Sequence, residues 1–158
     1  MDFGSFFDYP TEDSTEESSD YVLLHEWGNA EWSRLLNHTQ TQIYDPGDVV
    51  IRAGDAERAL YIVAFGTLEV LVKQRGQHVR LALVQTGSVI GEQSFLDGRP
   101  RSANIRAVTA CQILQLTVDS FEVFAAREPA LARMFLFDLG RILSLRLRHT
   151  VSQFSLWK

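Results

Sequence analysis

A single cysteine, Cys111, among 158 residues excludes an internal disulfide and any site built from clustered thiolates. The four histidines, His25, His38, His78 and His149, are scattered without ligand spacing, so no metal centre is expected. No apolar run approaches the roughly 20 residues needed to span a bilayer. The opening segment MDFGSFFDYP has neither the basic region nor the apolar core of a secretion signal. Lys and Arg are missing from residues 1–20, where Asp2, Asp8, Glu12, Asp13, Glu16, Glu17 and Asp20 set a local charge of −7, leaving +2 for the rest of a chain whose net charge is −5. That balance speaks against direct DNA binding, because phosphate recognition needs a basic surface. These absences describe a soluble, cytoplasmic chain, long enough for one domain with a real core.

Residues 1–19 read as an acidic, flexible tail, with Phe3, Phe6, Phe7 and Tyr9 free to dock on the domain or on a partner. Residues 20–158 read as the domain. A helical pattern from Tyr21 to Asn37, carried by Leu23, Leu24, Trp27, Trp32, Leu35 and Leu36, breaks at Gly28 into two short helices. From Thr41 the texture becomes β: QIY, VVIR, ALYIVAF, TLEVLVK, VRLALV, ANIRAV and CQILQLT alternate with turn residues. Gly47, Gly54, Gly66, Gly87, Gly91 and Gly98 fall at these breaks. Short strands punctuated this often predict an antiparallel sandwich or barrel. Thr117 is placed to cap a helix over Val118 to Arg127, and Pro129 to open a last helix from Ala130 to about Phe154.

The stretch Gly87 to Ala107, GSVIGEQSFLDGRPRSANIRA, carries the chemistry. Gly91 lets the backbone approach a ligand without an intervening Cβ. Residues 92–97 have helical composition, and the free N–H groups at such a helix start attract an anion. Arg101 supplies a permanent charge and a fork of donors matched to phosphate oxygens, aimed by Gly98 and Pro100. Glu92 is repelled by a phosphate and is better suited to sugar hydroxyls. The ligand suggested is a small ribose phosphate; the bland alternative is a solvated loop with incidental charges.

The segment resembles the phosphate-binding cassette of cyclic nucleotide-binding domains of the catabolite activator protein and protein kinase A regulatory subunit type. Such cassettes read G-E-x-[AS]-L, a few residues, then P-R-[AST]-A. The matching residues are Gly91, Glu92, Ser94, Phe95, Pro100, Arg101, Ser102 and Ala103, and the likeness extends through Pro46-Gly47, Gly54-Asp55, Leu60-Tyr61-Ile62-Val63, Gly66 and Leu68-Glu69-Val70. It implies a mainly β fold, an eight-stranded antiparallel jelly-roll-like β-barrel with N-terminal helices and a C-terminal helical lid. It also implies that Glu92 bonds the ribose 2′-hydroxyl, that Arg101 pairs with the cyclic phosphate, and that backbone N–H groups at Ser102 and Ala103 complete the cradle. Gln93 stands where an apolar residue is common and Asn104 where Thr or Ser is common, so Gln93 is a candidate extra contact to the sugar phosphate. The ligand-binding set is then Gly91, Glu92, Gln93, Ser94, Arg101, Ser102 and Ala103, with Ile90, Arg146 and Thr150 as candidate base contacts. The ligand expected is cAMP, with cGMP equally compatible with Ser102, and no cofactor or metal is required.

The last helix is apolar on more than one face. Leu131, Phe135, Leu139, Ile142 and Leu143 suit a barrel-covering face, which leaves Met134, Leu136, Phe137, Leu145 and Leu147 for another surface. Gly140 suits close packing or a bend. The resemblance makes this helix the cap over the base and a candidate homodimer interface. The sequence stops at Lys158, without a helix-turn-helix, kinase or channel after the domain. The expectation is therefore a stand-alone receptor whose C-terminal helix moves on binding and signals through an unidentified effector protein. A ligand-free or differently liganded scaffold is the alternative. Cupin-type catalysis would need clustered His and carboxylate ligands, which the sequence does not show.

Overall fold

The run Ala59–Phe65, ALYIVAF, is apolar at successive positions, so no alternation decides which side of a sheet it faces. Both sides are buried in the computed structural model, which describes residues 21–155. Leu60 and Ile62 pack into a cluster with the helices, while Tyr61 and Val63 enter a second cluster between two sheets. The proposed tail, residues 1–19, lies outside the described residues.

Eight strands form those sheets: β1 (Gln40–Tyr44), β2 (Val49–Ile51), β3 (Ala59–Phe65), β4 (Leu68–Gln74), β5 (Gln77–Val84), β6 (Val89–Ile90), β7 (Asn104–Ala107) and β8 (Cys111–Thr117). One sheet has the order β1-β8-β3-β6 and the other β2-β7-β4-β5, with antiparallel pairing throughout. This is the expected antiparallel jelly-roll arrangement, seen here as two four-stranded sheets rather than a closed barrel. Four helices flank it: α1 (Asn29–Leu36), α2 (Glu92–Asp97), α3 (Val118–Arg127) and α4 (Pro129–Ser155). The core facing them is aromatic, with Phe121 ringed by Phe95, Phe124 and Phe135 at centroid separations of 5.7, 6.2 and 5.5 Å.

Seven strands coincide with the runs read from the sequence, and all six glycines at the breaks take positive φ. The eighth strand, β6, has only two residues and is too short to show any periodicity. Thr117 caps α3 as expected, its Oγ1 accepting from the Ser120 N–H at 3.1 Å. The N-terminal helix pair is not as expected: among the described residues only α1 forms there, and residues before Gly28 make a turn. Leu24 takes φ 54°. Its N–H donates to Asp138 Oδ2 at 2.6 Å, and the Leu23 N–H donates to Gly87 O at 3.0 Å. Leu23, Leu24 and Trp27 are buried in the helical core, so tertiary contacts override the local helical pattern.

Helix α4 divides its apolar residues largely as expected. Phe135, Leu139 and Ile142 are fully buried, while Met134, Leu136, Phe137 and Leu147 are exposed; Leu145 packs against the core instead. Gly140 does not serve close packing, since a Cβ there would meet nothing within 4 Å.

Across the β5-β4-β7 sheet, Glu69 is buried and accepts from Arg80 Nε at 2.9 Å and Arg106 Nε at 2.7 Å. Burial alone would raise its carboxyl, but the hydrogen bonds from Arg106 and Arg80 outweigh it and hold the group below the usual glutamate value. A carboxyl depressed on folding stabilises the fold above its unfolded value, near 4.3, and loses that contribution as pH falls through the lower folded value. Glu69→Gln is therefore expected to cost about 1–2 kcal/mol at neutral pH, discounted because both arginines are half-exposed. Urea titrations should show the gap between variant and wild type closing below about pH 4; a gap independent of pH would assign it to packing.

Candidate functional site

Gly91 is the corner on which the site turns. It follows β6, takes φ 72°, and serves as the N-cap of α2, whose Phe95 N–H donates to the Gly91 carbonyl at 3.3 Å. Gly98 closes the same helix with φ 71°, its N–H donating to Ser94 O at 2.9 Å. Two left-handed glycines thus hold a single short helix between a strand and the Arg99-Pro100-Arg101 loop. Arg58 fastens the far end: its Nε donates to Phe95 O at 3.0 Å and its Nη2 to Leu96 O at 3.2 Å.

The loop is held from behind. Arg101 N–H donates to Asp55 O and Gly54 N–H donates to Arg101 O, both at 2.8 Å, while Asn104 Oδ1 accepts from the Ala53 N–H at 2.8 Å. Asn104 thereby ties the cassette to the turn before β3. The Arg101 side chain is 2% exposed. Its Nη1 donates to Gly91 O at 2.8 Å and its Nη2 to Ala59 O at 2.6 Å, with Glu57 Oε2 3.6 Å away and the Tyr61 ring centroid at 5.8 Å. A guanidinium carries five N–H donors, so these contacts orient it without exhausting it, and Nε has no partner among the described residues. Tyr61 Oη in turn donates to Glu57 Oε1 at 2.8 Å. Burial, reinforced by that carboxylate, pushes the Tyr61 phenol well above its ordinary range, so it stays a neutral donor at physiological pH.

Glu92 is 3% exposed and faces α4. Arg146 Nη1 donates to Glu92 Oε1 at 2.6 Å and Arg146 Nη2 to Val89 O at 2.9 Å. Glu92 Oε2 is buried with no hydrogen-bond partner among the described residues, an open acceptor beside the cleft.

The cleft itself is lined by Gly91, Glu92, Gln93, Ser94, Arg101, Ser102 and Ala103, with Ile51, Val70 and Ile105 as its apolar floor. Every residue of the expected ligand-binding set is therefore brought together. Ser102 Oγ donates to Gln93 Oε1 at 3.2 Å, which joins the two halves of the cassette across the cleft. The three candidate base contacts separate. Ile90 is buried between the sheets, Thr150 is buried with its hydroxyl donating to Arg146 O at 3.0 Å, and Arg146 alone reaches a cleft residue. Sequence reasoning missed Glu57, Arg58 and Tyr61. The available signal was a charged pair, Glu57-Arg58, placed directly before a strand otherwise fully apolar.

The fold is a jelly-roll domain with a buried carboxylate and a buried guanidinium at one small cleft, and a long helix reaching the carboxylate. The chain belongs to the cyclic nucleotide-binding domain family, whose model matches residues 41–128. It is 31% identical over 120 residues to the human potassium/sodium hyperpolarization-activated cyclic nucleotide-gated channel 3, covering 75% of this chain but only 15% of that channel. The catabolite activator protein of Thermus thermophilus superposes with a TM-score of 0.74 at 30% identity, over 84% of this chain and 61% of that one. A cyclic nucleotide-binding domain from Methylobacillus flagellatus shares the fold with a TM-score of 0.76 at 23% identity, over 89% of this chain and 83% of that one. No helix among the described residues is long and apolar enough to cross a membrane, and no group of His, Cys, Asp and Glu among them could hold a metal ion.

Two substitutions test this geometry without a ligand. In Gly91→Ala the new Cβ would lie 2.6 Å from Arg101 Nη1 and 3.1 Å from Ala59 O, in a backbone conformation that side chains disfavour. It should lower stability by about 1–3 kcal/mol by chemical denaturation; an unchanged midpoint would show that Arg101 is not locked at this corner. Arg146→Met should cost about 3–5 kcal/mol by leaving buried Glu92 without its ion-pair partner, and adding Glu92→Gln should restore much of it. Additive losses in that double-mutant cycle would refute a coupled pair.

Proposed function

We propose that the chain is a receptor for a cyclic mononucleotide, cAMP first and cGMP as the competing ligand, and that binding repositions α4. The observation that carries this reading is a pair of open, buried polar atoms at one cleft: Glu92 Oε2, an acceptor, and Arg101 Nε, a donor. Buried polar atoms require partners, and a ribose hydroxyl and a cyclic phosphate supply this pair. In this assignment Glu92 accepts from the 2′-hydroxyl, and Arg101 meets the phosphate together with the backbone at Ser102 and Ala103. Gly91 leaves room for close approach. Gln93 and Ser94 complete the sugar side, with Gln93 released from Ser102 to reach the ligand. Recognition rather than bond-breaking is what this donor set offers.

Coupling to the helix follows from Arg146. A sugar hydroxyl arriving at Glu92 shares or replaces the Arg146 contact, so ligand affinity differs between the two positions of α4, which is the condition for a population shift. An effector protein then reads α4. A second copy is a further partner for this helix, because Leu147, Val151 and Phe154 are exposed along its distal half at helical spacing. The Arg146–Glu92 contact also favours a second reading, a ligand-free scaffold in which the arginine permanently fills the sugar site.

Calorimetry with cAMP and cGMP on the purified chain separates the two readings. Binding is expected, with a matching rise in melting temperature, and Arg101→Ala should weaken it about 10- to 150-fold, the equivalent of about 1.5–3 kcal/mol for a charge-assisted contact. No heat and no thermal shift with either nucleotide would establish the scaffold; full affinity in Arg101→Ala, with its fold verified by circular dichroism, would move the phosphate elsewhere.

A further inference from the structure

Away from the nucleotide cleft, an apolar groove open to solvent runs between α4 and the turn that precedes α1. Leu24 and Trp27 form one wall, Met134 and Phe137 the other, and Arg133 and Arg141 lie along it. Phe137 is 78% exposed and Met134 44% exposed, a large apolar display for a surface that no described residue covers. A second hollow, lined by Phe121, Ala125, Pro129, Ala132 and Leu136, meets the first at Arg133 and Phe137.

We propose that the occupant of this groove is the chain's own N-terminal segment, residues 1–20, with Phe3, Phe6 and Phe7 as its anchors. Three observations choose this occupant. Connectivity is the first: the described chain begins at Tyr21, three positions before Leu24 in the groove wall, so the segment is delivered at high effective concentration. Even from Phe7, the fourteen residues to Tyr21 reach about 45 Å when extended, longer than the roughly 40 Å of a 27-residue helix such as α4.

Composition is the second. Phe3, Phe6 and Phe7 stand at i, i+3 and i+4, the spacing that sets three rings on one face for insertion into an apolar groove. Nothing in the nucleotide cleft requires aromatic residues in so acidic a segment.

Charge is the third. The segment has seven acidic residues and no basic one. The groove lining sets Arg133 and Arg141 against Glu26 and Asp138. Arg141 is paired with Asp138 at 2.7 Å, whereas Arg133 is exposed, has no ion pair among the described residues, and is the cation left for the acidic segment. The groove and its occupant sit on the helix that also carries Arg146, so the N-terminal segment loads the same element that reaches Glu92.

The test uses the full chain with p-benzoylphenylalanine in place of Phe7, irradiated at low micromolar concentration and mapped by mass spectrometry. The expected product is a cross-link at monomer mass into residues 133–137 or 24–27. Phe137→Asp in the same chain should cut that yield about tenfold, as expected for losing one aromatic contact; because Phe137 is mostly exposed, the fold should persist, which a melting curve checks. Cross-links mainly between two chains, cross-links to other parts of the domain, or none in a folded protein would each overturn the proposal.

Discussion

The two bonds from the Arg101 guanidinium to the carbonyls of Ala59 and Gly91 bring three parts of the chain to one point. Ala59 starts β3, Gly91 follows β6 and caps α2, and Arg101 belongs to the loop that leads into β7. A buried guanidinium without such acceptors would cost several kcal/mol. The loop therefore cannot move away from β3 without losing them. Gly91 is the complement to this arrangement: a Cβ there would occupy space that Arg101 Nη1 already fills. The glycine and the arginine are one constraint seen from its two ends. Glu57 and Tyr61 extend it outward, since the phenol holds the carboxylate that faces the guanidinium.

Glu92 adds the link to α4. The cassette alone would be a fixed corner; the bond from Arg146, 54 positions later in the chain, ties one wall of the cleft to the distal half of a helix. The proximal half of α4 is anchored by Phe135, Leu139 and Ile142, all fully buried. The distal half is tied to the cassette by the polar contacts of Arg146, beside Leu145 packed against the core. Polar contacts can be exchanged for contacts to a ligand; a packed aromatic cluster cannot. The helix is thus stiffly seated at one end and replaceably seated at the other, which is where the proposed nucleotide arrives.

Local rules made most of this legible. The glycines at the strand breaks, the Thr117 cap and the Gly91-Glu92 to Arg101-Ser102-Ala103 spacing are short-range signals, and the structure has each in place. What stayed hidden is long-range. The turn at Leu24 exists because Asp138 accepts its N–H across 114 positions of sequence, and no local pattern announces that. The Arg146–Glu92 bond is of the same kind. Arg146 was singled out for its place on the helix, but its partner was expected to be a nucleotide base rather than the carboxylate already in the cassette. Strand β6 was missed for a different reason: two residues carry no period.

The poor amphipathicity of α4 now has a physical explanation. An ordinary surface helix serves one core and shows one apolar stripe. This one meets three environments along its length: the aromatic core through Phe135 and Leu139, the cassette through Arg146, and open surface through Met134, Phe137 and Leu147. Each interface asks for residues on a different face, so their superposition looks apolar all round although the helix is not buried all round. A helix that satisfied only the core would show one apolar stripe, but it would not reach Glu92. The residues that spoil its periodicity are the one that reaches the cassette, Arg146, and those that stay at the surface, Met134, Phe137 and Leu147.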